Sequence, residues 1–226
     1  MPETIYANSN DGAIGTALNS TFHVTRRSTS GGVLQTTRNK STLTNAFYSS
    51  RGGGTYGIYR GFFRFDTSGI SVAPTAGTLS IFGWGFNASA TLIGVKSEHG
   101  DTLAVGDFDA IVNGSTPLNA SNGSGGGTFS GTSVVDYTTV TSSWSLSAYN
   151  DMPLTAAALS DMASLSNFKV CVMEHTYDYS DITNGTTAYA NGCYYIEQTG
   201  IDFDPKLVFT PGTAVTDNAT FFGTNF

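Results

Sequence analysis

The sequence predicts an all-β fold: a jelly-roll-like antiparallel β-sandwich carrying one short helix. Three observations point there. Apolar residues alternate with polar ones over short runs, the period-2 signature of strands with one buried face. Charged residues make up only 12 % of the chain while glycine numbers 27, which suits many short strands joined by turns. Only one segment repeats its apolar residues at helical spacing. The 15 Phe and 11 Tyr supply apolar area for a core, and 226 residues suffice for a single sandwich domain. No sequence unit recurs at a fixed period, which argues against a propeller or β-helix.

Taken in order, residues 1–18 are small and polar and read as an N-terminal arm, leaving 19–210 as the sandwich and 211–226 as a C-terminal tail. TFHVTRR at 21–27 alternates Phe22 and Val24 against His23 and Thr25, and 33–38 gives a second strand. SSRGGGTYG at 49–57 is a loop by its glycines. In IYRGFFRFD at 58–66, Phe63 and Phe65 point to one face and Phe62, Arg64 and Asp66 to the other. After a crossover around Pro74, GTLSIFGWGF at 77–86 sets Leu79 and Ile81 against Phe82, Trp84 and Phe86. Further strands are expected at 91–96, 108–112, 134–140, 144–148, 168–175, 192–198 and 206–210, with a surface loop at 116–131. The helix is expected at 155–165, where Thr155 is the N-cap and Leu159, Met162 and Leu165 recur at three-residue spacing.

Composition excludes several functions. A net charge of −7 with scattered arginines lacks the basic stripe of a nucleic-acid binder. No run approaches the roughly 18 apolar residues of a membrane span. The opening MPETIYANSNDG has no basic n-region and no apolar h-region, so no secretory signal is expected. Cys171 and Cys193 stand apart from any metal-type spacing; free buried thiols and an inter-strand disulfide both remain open. His23, His99 and His175 lie beside no nucleophile motif, so no enzyme is expected. Glu98, Asp101, Glu174 and Glu197 are the carboxylates available for glycosidase-type pairing, among 17 acidic residues that make such coincidences common.

Five landmarks in order resemble one family: YRGFFRFDTSGI at 59–70, AGTLSIFG at 76–83, WSLSAYNDMPLTAAALSDM at 144–162, FKVCVMEHTYD at 168–178 and DPKLVFT at 204–210. Their sequence of a Phe-Asp strand end, a Leu-x-apolar strand, a Trp…Tyr-Asn…Leu run into a helix, and a closing Pro-x-Leu strand is similar to jelly-roll modules of the DNRLRE and carbohydrate-binding-like type. Such modules recur in phage structural proteins and on bacterial surfaces. The resemblance covers about residues 20–210, with a Gly-rich insertion near 121–127 as a departure. It implies a non-catalytic virion protein on the outside of a tailed-phage particle: a capsid decoration, head-fibre or tail accessory protein. Its partners would be other virion proteins, and a homo-oligomer, a trimer by the habit of phage surface proteins, is expected. The alternative is a carbohydrate-binding module adhering to host or environmental polysaccharide.

These expectations select candidate residues. Phe82, Trp84 and Phe86, joined by Phe62 if their strands pair, form an aromatic stripe that a helix or loop covers, that meets another subunit, or that stacks on a glycan. Phe221, Phe222 and Phe226 make the tail a candidate attachment segment. Asp178, Asp181, Asp202 and Asp204 flank late strands and are candidate ligands for a structural Ca²⁺, as in sugar-binding jelly rolls, against ordinary Asx-turn chemistry.

Overall fold

The structure is a computed structural model describing residues 1–16, 18–36, 40–50, 54–85, 90–111, 134–183, 189–195 and 202–214. Its strands are β1 (Glu3–Tyr6), β2 (Gly12–Gly15), β3 (Val33–Gln35), β4 (Lys40–Ser49), β5 (Thr55–Asp66), β6 (Ala76–Trp84), β7 (Leu92–Lys96), β8 (Tyr149–Pro153), β9 (Asn167–Glu174), β10 (Tyr189–Tyr194) and β11 (Lys206–Thr210). Among the described residues two α-helices accompany them, α1 (Phe22–Arg26) and α2 (Ala156–Ser164). Every strand pairing is antiparallel.

The strands form an all-β sandwich. The first sheet runs β1-β11-β6-β8. The second is built around β5, which pairs with β2 along one edge and with β4 and β9 along the other. β3 extends it beyond β2, β7 beyond β9 and β10 beyond β4. β10 also meets β6 through Gly192↔Trp84 and Cys193↔Gly83, which ties the two sheets at one edge.

The alternation of β5 sets the layers. Phe63 and Phe65 face inward with Phe168, Val170 and Val172 of β9, and meet Leu79, Ile81, Met152, Leu207 and Phe209 of the first sheet. Each fully buried side chain of this kind contributes about 1.5–3 kcal/mol. The opposite face of β5 carries Ile58 and Phe62 into a second apolar layer with Ile14, Ile93, Cys171 and Met173. That layer is closed from outside by Phe22 of α1 and by Leu103, Phe108 and Ile111. α2 starts where Thr155 Oγ1 accepts from the Ala158 amide, and it turns Ala158 and Met162 into the inter-sheet core.

Several segments depart from the sequence reading. Residues 1–18 are no arm: β1 closes the first sheet and β2 is buried within the second. Gly-Ala-Ile-Gly buries both faces and so shows no alternation. The expected strand at 21–27 is α1, because Phe22, Thr25 and Arg26, at i, i+3 and i+4, are its buried face. The loop expected at 49–57 is shorter, since β4 and β5 pair as far as Ser49↔Thr55. Residues 108–111 form no strand; Phe108 and Ile111 plug the second layer from irregular backbone. Residues 134–148 make only isolated bridges, among them Val95↔Asp136 and Thr138↔Leu154. Val112 and the loop at 116–131 lie outside the described residues.

Candidate contact site

The two sheets differ in what covers their outer faces. On the second sheet, outward residues such as Ile58, Phe62, Cys171 and Met173 are fully buried beneath α1 and the 97–111 segment. On the first sheet, outward residues Thr78, Phe82, Trp84, Tyr149, Lys206 and Val208 are half-buried, and Asp151 and Pro153 are exposed.

Strand register assembles the outward aromatics. Phe82 on β6 lies opposite Tyr149 on β8, and their rings meet edge to face at 5.2 Å. Tyr194 projects outward because Cys193 beside it turns into the core, and its ring is 5.6 Å from that of Phe82. Phe203, just before β11, lies 4.4 Å from Phe82 and 4.9 Å from Tyr194. Lys40, paired with Tyr194 in register, holds its ammonium 5.1 Å from the Trp84 ring centroid and 6.0 Å from that of Tyr194. Lys206 sits 3.7 Å over the Tyr149 ring. Phe82, Tyr149, Tyr194 and Phe203 thus form one ring cluster, with Lys206 over Tyr149 and Lys40 over both Trp84 and Tyr194.

The polar setting of the cluster is mixed. The Tyr149 hydroxyl donates to the backbone carbonyls of Asp202 and Asp204, at 3.1 Å each. Burial, with Tyr6, Asp204 and Asp202 nearby, pushes that phenol up to about 12. Ser80 donates to the exposed Asp151 carboxylate. Burial pushes the Asp204 carboxyl up, and its Oδ1 finds no partner among the described residues. At the far end of the same face, a shallow apolar depression of about 380 Å³ is lined by Pro2, Ala76, Thr78, Pro153, Val208 and Thr210.

A second concentration of charge lies under α1. Arg60, fully buried on β5 between Ile58 and Phe62, grips Asp178 twice, with Nε–Oδ2 2.7 Å and Nη2–Oδ1 2.6 Å. It also donates to the carbonyls of Phe108 (2.8 Å) and Arg26 (3.0 Å). Burial works against its charge, but Asp178 more than offsets this and holds its pKa above the ordinary value. Arg26 is 3.4 Å from Asp181 and donates to the Asp178 carbonyl. Burial lowers the Arg26 pKa to about 10 despite both carboxylates. His23 and Arg27 also contact Asp181, at 2.8 and 3.3 Å. Glu174, whose carboxyl burial pushes up, caps the 175–179 turn by accepting from the amides of Thr176, Tyr177 and Asp178.

The sequence candidates fall into place unevenly. Phe82 and Trp84 share the outer face as expected, and α2 does not cover them, since its buried side enters the inter-sheet core. Phe62 does not join them. It is fully buried in the second layer, against His99, because β5 belongs to the other sheet. Asp178 and Asp181 are neutralised by guanidinium groups, so their position suits structural ion pairs and not a cation, and Asp202 and Asp204 lie beside Tyr149 instead. Among the described residues no three His, Cys, Asp or Glu side chains converge as a metal site. Cys171 and Cys193 are free and buried, one in each apolar layer. Arg64 donates to Asn167 at 2.9 Å and lies 3.4 Å from Asp101. Phe86, Glu197 and the tail residues Phe221, Phe222 and Phe226 lie outside the described residues.

Sequence reasoning missed Tyr149, Tyr194, Lys40 and Lys206, which reach the cluster through strand register, and Phe203, which reaches it from the turn before β11. It also missed the Arg60–Asp178 pair, although an arginine between Ile58 and Phe62 on one strand face already required a buried partner. No described helix is long and apolar enough to cross a membrane. Compared with known family models and with curated proteins, the chain matches none.

Proposed function

We propose that this chain is a non-catalytic surface component of a tailed-phage particle, a capsid decoration, head-fibre or tail accessory protein, that makes its contacts through the outer face of the β1-β11-β6-β8 sheet. The observation carrying this reading is the asymmetry of the sandwich. One outer face is sealed by α1 and the 97–111 segment, while the other presents half-buried aromatic rings. The five ordered landmarks that resemble phage jelly-roll modules supply the location. Antibodies against the chain should decorate intact particles of the phage that encodes it, and mass spectrometry should find the chain in purified particles. Its absence from particles would overturn the reading.

A second reading, a carbohydrate-binding module, is favoured by one observation: outward aromatic rings share a sheet face with the Lys40 and Lys206 ammonium groups and the exposed Asp151 carboxylate. A particle-surface protein and a glycan adhesin are compatible, since a host-facing module can be both. Turnover of a polysaccharide that is lost with one carboxylate-to-amide change would refute both.

A further inference from the structure

We propose that the Asp204–Pro205 bond is a self-cleavage site, at which the Asp204 carboxyl cuts the folded chain immediately before β11. The reaction is a single turnover within the chain, so it is compatible with the non-catalytic function above and does not rest on it.

Asp204 and Pro205 are the one Asp-Pro pair in the sequence, and three features meet there. The Asp204 side chain is buried, and its Oδ1 has no hydrogen-bond partner among the described residues, so no bond at that atom opposes rotation toward the backbone. The carbonyl within its reach, that of Asp204 itself, accepts from the Tyr149 hydroxyl at 3.1 Å. That phenol is pushed up to about 12 by burial and remains a donor at every pH below this. The nitrogen of the bond belongs to proline, a tertiary amide with no N–H. Beyond it the chain is clamped: the Pro205 carbonyl accepts from the Ala7 amide at 2.8 Å, and β11 pairs with β1 and β6.

An Asp204 carboxyl oxygen attacks the Asp204 carbonyl carbon, closing a five-membered ring that needs only rotation of the side chain. The carboxyl proton passes to the Pro205 nitrogen and the C–N bond breaks. Residue 204 is left as a cyclic anhydride and Pro205 as a secondary amine. One water then opens the anhydride to a pair of carboxylic acids, so the net change is hydrolysis, with nothing oxidised or reduced. The Tyr149 hydroxyl faces the carbonyl oxygen on which negative charge develops as the ring closes. The carboxyl must still hold its proton at that moment, and burial pushes the Asp204 carboxyl up, which keeps the proton to a higher pH than in the unfolded chain. Ionisable groups of the described residues about this site are Tyr149, Tyr6, Asp202 and Lys206, whose ammonium lies over the Tyr149 ring. Cleavage makes residues 205–226 a separate peptide, its β11 held by strand pairing and by Leu207 and Phe209 in the core instead of by the chain.

The test holds the full chain for several days at about pH 4.5 to 5.5, folded by circular dichroism, beside the same chain denatured in guanidinium chloride. Intact-mass spectrometry reads the fragments 1–204 and 205–226. The folded chain should cleave at this bond about tenfold or more faster than the denatured chain, whose Asp204 has ordinary acidity and no Tyr149 donor. Asp204→Ala, which removes the nucleophile, should abolish both fragments. Tyr149→Phe keeps the ring and removes the donor, so it should slow the folded chain by about tenfold and leave the denatured rate unchanged. No fragments from the folded chain, or a denatured chain that cleaves as fast as the folded one, would overturn the proposal. So would cleavage that survives Asp204→Ala, or a folded rate that Tyr149→Phe leaves unchanged.

Discussion

Replacing Asp178 with asparagine tests how the cap over the second apolar layer is held. The change keeps the side chain's shape and removes its charge, leaving the fully buried Arg60 guanidinium without the carboxylate it grips at 2.6 and 2.7 Å. Removing one partner of a buried pair costs about 3–5 kcal/mol, because the remaining charge stays desolvated. For a chain of this length that lowers Tm by roughly 6–20 °C. The double variant Arg60→Met with Asp178→Asn, measured beside each single change, removes both charges. It abandons the carbonyls of Phe108 and Arg26, at about 1–3 kcal/mol each if no water reaches them, but leaves no unpaired ion at Arg60. Part of the single-variant loss should return, so the cycle should show a favourable coupling of about 2 kcal/mol or more. Urea unfolding followed by circular dichroism gives all four corners. A loss below about 1 kcal/mol for Asp178→Asn, or strict additivity in the double variant, would refute the claim that this pair locks α1 and the 175–179 turn onto the sheet.

Three further outcomes are expected. Burial, and then the Lys169 ammonium, lowers the pKa of His99 from 6.5 to about 4, so the folded state binds fewer protons than the unfolded state between those values. Stability should fall as pH drops from about 6.5 to 4, and His99→Asn should flatten that slope; an unchanged slope would contradict the assignment. The raised carboxyl of Glu174 acts in the opposite sense, its stabilisation fading as pH climbs through its folded pKa. A Cβ at Gly83 would clash with the Ser145 carbonyl oxygen and lie 2.8 Å from Trp144 Nε1, so Gly83→Ala should cost about 1–3 kcal/mol, read as a lower urea midpoint. Burial pushes the thiols of Cys171 and Cys193 up, so neither should react with a disulfide reagent in the native state and both should react in denaturant.

What the sequence disclosed follows from what each residue had to do alone. Phe63 and Phe65 alternate with Phe62 and Arg64 on a half-amphipathic strand, so both faces of β5 were legible. Thr155 caps α2 through a contact three residues away, another local signal. β2 was hidden because Gly12, Ala13 and Gly15 carry little side chain to alternate, and α1 because five residues fit both periods. The contact face was half legible: Phe82 and Trp84 share a strand, but Tyr149, Tyr194 and Phe203 join them through pairings that no local pattern specifies. Phe62 was misassigned for the same reason, since its face is fixed by β5 and β9 pairing in the other sheet.

If the outer face of the β1-β11-β6-β8 sheet makes this protein's contacts, as proposed, removing its rings should release the protein. The most direct measurement is attachment of the Trp84→Ala/Tyr194→Ala variant, to particles lacking the wild-type chain and to cells bearing surface glycan, with Tm checked alongside. The expected result is a Tm within a few degrees of wild type and attachment to at least one of the two reduced by about tenfold or more. Wild-type attachment to both, from a folded variant, would contradict it.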